Sequence, residues 1–177
     1  TSFGGSISKP GDGVEVKYYE PMGVGFGAYA NNPWLQEMPD PITRTVWTSI
    51  VHIPLKWDGD SKFEYYKDLK KDGLYVDFKS GKNTVKDIPI VRQFGQMSDT
   101  IAIPVGYGRT KGNPSAEKVG NYVINTLSRD ADGNIRYWND KVEITPNGGE
   151  DKHFASVQLH HTMGVRGKDK SNKVINV

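Results

Sequence analysis

Few side chains in this sequence have the type and spacing to do chemistry. There are four histidines and no cysteine, and His160-His161 is the one adjacent pair, followed by Thr162. Two imidazoles on one ion would be the start of a metal site. Adjacent residues of a strand face opposite sides, however, so both rings reach one ion only where the strand breaks. No carboxylate lies close by in sequence to complete a ligand set, and a packed or hydrogen-bonded pair is the better reading. His52 sits in an apolar run and reads as a satisfied core or face histidine. Gly23-Val24-Gly25-Phe26-Gly27 has the composition of an anion-holding loop, but a dinucleotide fingerprint needs a strand before it and a helix after it. Loop residues and Pro33 follow instead, so a tightly turning loop is expected. Trp34, Trp47, Trp57 and Trp138 could build a stacking platform for a sugar, the mark of a carbohydrate-binding β module. They are scattered over different elements, where large aromatics ordinarily anchor a core. The lack of cysteine removes disulfides, thiolate ligands, cysteine-held iron–sulfur clusters and cysteine nucleophiles together. No nucleophile elbow frames a serine. The residues therefore assign no catalytic group and no metal, and whether the chain belongs to an enzyme stays open.

The elements that would position these residues are short. A chain of 177 residues suits one domain, and 20 glycines with 10 prolines spread along it point to many strands joined by turns. Lys and Arg number 23 against 21 Asp and Glu, a formal charge of +2 with no cationic stripe, so no nucleic-acid partner is implied. No stretch approaches the ~20 apolar residues of a membrane span. No signal peptide opens the chain, and Thr1 in place of an initiator Met is expected to reflect processing or a chosen boundary. Val14, Val16 and Tyr18 alternate as a strand. Residues 20–44 carry loop-spaced proline and glycine and predict an ordered, non-helical excursion. Thr45 to Leu55 predicts a strand, with Pro54 near a sheet edge. Asp60 to Lys71 predicts the one good helix, capped by Asp60, with Phe63, Tyr66 and Leu69 on one face and Gly73 after it. Leu74, Val76 and Phe78 then alternate, and Ser80-Gly81-Lys82-Asn83 predicts a hairpin turn into a strand through Ile88 and Ile90. Ile101, Ile103 and Val105 make another alternating set, and residues 110–121 read as loop. Tyr122 to Leu127 is a short apolar run; strands are expected around Ile135 and Tyr137, at Val142 and Ile144, and over Phe154 to Leu159. The tail from Gly164 has nothing to bury and reads as a mobile linker.

One segment is more specific than any of these. Asn31-Asn32-Pro33-Trp34-Leu35-Gln36-Glu37-Met38-Pro39-Asp40-Pro41-Ile42-Thr43 resembles a run in the large iron–sulfur, molybdopterin-oxidoreductase-like subunit of alternative complex III, a bacterial quinol-oxidising complex. Ile90 to Arg109, ending in Gly106-Tyr107-Gly108-Arg109 with Gly120-Asn121-Tyr122 beyond, is similar to a strand, loop and strand of that family. Phe154 to Met163, with His160-His161, is similar to the segment closing its molybdopterin-like half. The three segments come in the family's order and span most of residues 28–163. The chain departs from the pattern at Thr48-Ser49, where the family has Asp-Asn, and at Gly164-Val165-Arg166-Gly167.

The resemblance implies a mainly β fold, a double-psi β-barrel-like domain with one or two short helices. Residues 1–44 would form an N-terminal loop-rich strap with one short strand, 45–163 the barrel, and 164–177 a flexible linker. It implies a cofactor-free structural and docking domain of a larger subunit, with electron transfer through iron–sulfur clusters outside this chain. The implied partners are the molybdopterin-like and ferredoxin-like parts of the same subunit, a polytopic quinol-binding membrane subunit and c-type cytochrome subunits, on the periplasmic side of a bacterial inner membrane. Trp34, Leu35, Gln36, Glu37, Pro39, Asp40, Pro41, Thr43, His160 and His161 would be structural, with Trp34 and Leu35 as buried anchors and Asp40 near Arg44. The alternative is a molybdopterin-dinucleotide-binding domain of an active molybdoenzyme, in which Gly106, Tyr107, Gly108, Arg109 and Asn121 would line the pterin cleft.

Overall fold

A computed structural model describes residues 14–55, 66 and 68–157. Six strands close into a barrel: β1 (Val14–Tyr19), β2 (Val51–Leu55), β3 (Leu74–Ser80), β4 (Asn83–Phe94) and β5 (Thr100–Pro104) are joined by a long last strand. Two short strands, β6 (Ser128–Arg129) and β7 (Ile135–Arg136), form a separate ribbon, and the long strand after them is β8 (Trp138–Glu150). Around the barrel the order is β1-β5-β2-β4-β3-β8. β1 runs parallel to β5 and β2 parallel to β4, while β2–β5, β3–β4, β3–β8 and β1–β8 are antiparallel. Exchanging β1 with β4, β2 with β5 and β3 with β8 leaves this order and every strand direction unchanged. The barrel is thus two interlocked three-strand halves related by a pseudo-two-fold axis. The first strand, at Val14, Val16 and Tyr18, is part of the barrel and not only of the segment before it.

Strand alternation explains the core. Val14, Val16 and Tyr18 of β1, Val76 and Phe78 of β3, and Ile101 and Ile103 of β5 point inward and are buried. Each such side chain contributes about 1.5–3 kcal/mol by leaving water. β4 switches phase in the middle: Val76 pairs with Ile88 but Phe78 with Val85, so β4 carries one extra residue. Asp87, at φ 56°, is in the left-handed region at this bulge. The hairpin turn at residues 80–83 and the alternating sets of β3 and β5 form as their sequence predicts. Tyr66 and Leu69 lie in the core, but residues 68–71 of the expected Asp60–Lys71 helix are turn and irregular chain, and residues 60–65 and 67 lie outside the described residues.

Several elements differ from expectation. The strand expected from Thr45 covers only Val51–Leu55. Arg44 and Trp47 take positive φ (64° and 57°), which breaks the run, and Thr45 instead makes an isolated bridge to Ser156. That bridge is all that forms of the Phe154–Leu159 strand within the described residues. Pro54 does not lie on an edge strand, because β2 sits between β5 and β4; its β5 side is paired only at His52↔Ala102, two residues before the proline. The run at residues 122–127 becomes a 3-10 turn at Ile124–Thr126. Trp57, His160, His161 and the tail from Gly164 lie outside the described residues.

Candidate functional site

The strand directions bring the unusual segments to one end of the barrel. β1 and β5 run parallel, so the excursion after Tyr19 and the Gly106–Arg109 turn leave the same end. β2 is antiparallel to β5, so the chain enters β2 there too. The Gly23–Gly27 segment turns tightly, with Gly25 N–H donating to Pro21 O (2.8 Å) and Gly27 N–H to Val24 O (2.9 Å). Its backbone faces Gly106, where an added Cβ would fall 2.4 Å from Gly25 O and 2.7 Å from Gly27 N. The Arg109 guanidinium donates to Gly27 O. These amides serve the fold and are not turned to an anion.

Gly106, Tyr107, Gly108, Arg109 and Asn121 do come together here, packed against their own chain. A Cβ at Gly108 would fall 2.0 Å from Tyr122 N. Asn121 N–H donates to Ser49 Oγ (2.7 Å), that hydroxyl donates to Asn121 Oδ1 (3.0 Å), and Asn121 Nδ2 donates to Lys86 O (2.8 Å).

The next stretch is a built loop. Asn32 caps a one-turn helix, α1 (Pro33–Gln36), by accepting from Trp34 N–H (3.0 Å), with Pro33 in the first helical position. The sequence predicts no helix in the excursion, and this single turn corrects that. Gln36 is the anchor: it is 1 % exposed, donates from Nε2 to Ala30 O (3.0 Å), and accepts from Trp47 N–H at its carbonyl. Trp34, expected as a buried anchor, is 79 % exposed. In so short a helix, the inward direction taken by Gln36 leaves the position two residues earlier facing out. Leu35, also expected as a buried anchor, is only half-buried; Glu37 and Pro41 are exposed, Pro39 is half-buried and Thr43 is buried.

Asp40 organises the turn that leads into Thr43. Its Oδ1 accepts from Ile42 N–H (3.0 Å), Thr43 N–H (2.7 Å) and the Thr43 hydroxyl (2.9 Å), an Asx-type turn. Arg44 meets Asp40 through backbone only, donating its N–H to Asp40 O (2.9 Å). Oδ2 accepts from the Tyr19 hydroxyl at 3.2 Å, and Tyr19 Oη lies 2.7 Å from His52 Nε2. An ionised carboxylate only accepts, so the single phenol proton points to Asp40 and His52 must donate its Nε2–H to Tyr19. The order His52→Tyr19→Asp40 is thereby assigned.

The charges fit this order. Burial acts to raise the Asp40 pKa, but the donors from Thr43 and Ile42 and the nearby His52 outweigh it and hold the carboxyl below its ordinary value. Burial first, and Asp40 second, push the Tyr19 phenol far above its ordinary value. The same causes push Tyr107 up to about 12. Tyr19 carries no sequence signal for this role, since 21 residues separate it from Asp40 and 33 from His52.

A small cavity opens over Asp40. Tyr19, Asp40 and Tyr107 are among its polar lining, and Met22, Met38 and Pro41 among its apolar walls. The excursion also exposes Met22 (74 %), Tyr29 (62 %), Trp34 and Ile42 (60 %). Trp138, on β8, lies under the Arg136 guanidinium, 4.0 Å from its ring centre. Among the described residues, no group of three or more His, Cys, Asp or Glu comes together as a metal site, and no helix is long and apolar enough to cross a membrane. Compared with known proteins, the chain matches no family model and no curated protein.

Proposed function

We propose that this chain is a cofactor-free structural and docking domain of a membrane-associated quinol-oxidising complex of the alternative complex III type. Electrons would run through iron–sulfur clusters outside the chain. The barrel would be of the double-psi type, a reading supported by its two parallel strand pairs and pseudo-two-fold order. The observation that carries the docking role is the excursion. The segment on which the family resemblance is most specific is held rigidly by Asn32, Gln36 and Asp40, and the same excursion presents Met22, Tyr29, Trp34 and Ile42 to solvent. Large apolar side chains on a fixed loop are interface anchors, because burying them against a partner needs little further ordering. The partners would be the remaining parts of the iron–sulfur subunit, the quinol-binding membrane subunit and the c-type cytochromes, on the periplasmic face.

The test is an optical redox spectrum of the native protein, affinity-purified through this chain from detergent-solubilised membranes. A c-type haem band with iron–sulfur absorbance supports the reading. A colourless product, or one carrying pterin without haem, overturns it.

A further inference from the structure

We propose that the cavity over Asp40 is a socket for the ammonium end of a lysine side chain presented by the docking partner. The inference rests on the docking reading and specifies the chemistry of the contact.

Three features define the occupant. The first is charge. Asp40 Oδ1 is saturated by three donors, whereas Oδ2 receives only the long 3.2 Å bond from Tyr19. An ionised carboxylate oxygen offers about two lone-pair directions, so Oδ2 has room for another donor, and Asp40 lines the cavity. The three donors to Oδ1 favour the ionised form of Asp40, so a carboxylate charge lies among the residues that line the cavity. The second is size. The cavity holds about 10 Å³ of space, about the least that accommodates one water-sized group. An ammonium is that size, and a planar guanidinium is larger and less compact. The third is the wall. Met22, Met38 and Pro41 line the same cavity as Asp40 and Tyr107, a mixture of apolar and polar groups that suits an alkyl stem ending in a charge. Methionine side chains adapt to such a stem with little strain. Tyr107 lines the same cavity, and its hydroxyl would accept a second ammonium hydrogen bond.

The experiment is a titration of the full chain carrying 13C-methyl methionine. The probes are n-butylammonium chloride, n-butanol and sodium butyrate, used at constant ionic strength. Saturable shifts of the Met22 and Met38 methyl resonances are expected with butylammonium alone, with a Kd on the order of 1–10 mM for so small a ligand. Met97, at the opposite end of the barrel, should not move. Asp40→Asn should weaken binding at least tenfold, and Tyr107→Phe by a smaller factor. Equal responses to butanol and butylammonium, or no response, would overturn the socket; so would an Asp40→Asn variant that binds butylammonium as well as the parent. The comparison of probes on the unaltered chain decides the matter even if the Asp40 variant fails to fold. A socket that binds butylammonium in a protein purified without haem or iron–sulfur absorbance would sink the docking reading and leave the socket standing.

Discussion

Replacing Asp40 separates two roles that the geometry gives to one side chain. In Asp40→Ala the turn loses three donors' acceptor and Tyr19 loses its carboxylate partner. Loss of a capping side chain costs about 0.5–2 kcal/mol, and leaving a buried polar group unsatisfied costs about 1–3 kcal/mol. Thr43 is fully buried, so its amide belongs to the second class, while its hydroxyl can turn to Thr45 Oγ1 at 3.0 Å and Ile42 N–H is exposed to water. The expected destabilisation is therefore about 2–4 kcal/mol. Asp40→Asn keeps an acceptor at the Oδ1 position and puts a donor toward Tyr19. The phenol can then turn its proton to His52 Nε2, which switches tautomer and accepts. The donors to Oδ1 keep their acceptor and Tyr19 keeps His52 as a partner, so the loss is mainly the charge assistance, about 1 kcal/mol. Urea denaturation of the two variants, with the slope checked for constancy, measures both numbers. An Asp40→Ala variant within about 0.5 kcal/mol of the parent, or an Asn variant as damaged as the Ala one, would refute the assigned network.

Four further outcomes are expected from the same geometry. Trp34→Ala should leave stability within about 0.5 kcal/mol of the parent, as for other exposed positions, while reducing recovery of c-type haem with the tagged chain; a larger drop in urea midpoint would return Trp34 to the core. Gly106→Ala places a Cβ 2.4 Å from Gly25 O at φ 99°, so strain of about 1–3 kcal/mol or more is expected in thermal melts. Phe78→Ala, at a fully buried site, should cost about 3–5 kcal/mol by urea titration. The folded-state pKa of Asp40 lies below its ordinary 3.8. Its contribution is thus complete above pH 3.8 and is lost as pH falls from there through the lowered value, a loss that Asp40→Asn should remove from an acid-melting profile.

The barrel strands are legible wherever one face is buried and the other wet, because period-two alternation then writes itself into the sequence. Val14 to Tyr18, Leu74 to Phe78 and Ile101 to Val105 are of this kind. The strand over Thr45 to Leu55 begins later than its residues suggest, for a reason composition does not carry. β-branched residues suit a strand locally, but Arg44 and Trp47 take positive φ where the chain closes on the excursion, Arg44 N–H donating to Asp40 O and Trp47 N–H to Gln36 O. Trp34 misleads in a similar way. Its size argues for burial, yet the Asn32 cap and Pro33 fix a single helical turn that turns Gln36 inward and the indole out. The glycine-rich segment reads as turns and forms them, but its partner across space, Gly106, could not be inferred from spacing. The site itself is half visible. Asp40 and Tyr107 lie in segments singled out by resemblance, whereas Tyr19 joins them only because β1 ends beside them.

Oxidative footprinting in native membranes tests the docking role most directly. Met22 and Trp34 are 74 % and 79 % exposed on the excursion, and Met97 is 70 % exposed in the loop entering β5, at the opposite end of the barrel. With hydroxyl radicals applied to membranes and to the purified chain, Met22 and Trp34 should be strongly protected in the membrane sample while Met97 is oxidised to a similar extent in both. Equal oxidation of Met22 and Trp34 in the two samples would contradict the account, since it would leave the excursion without a partner.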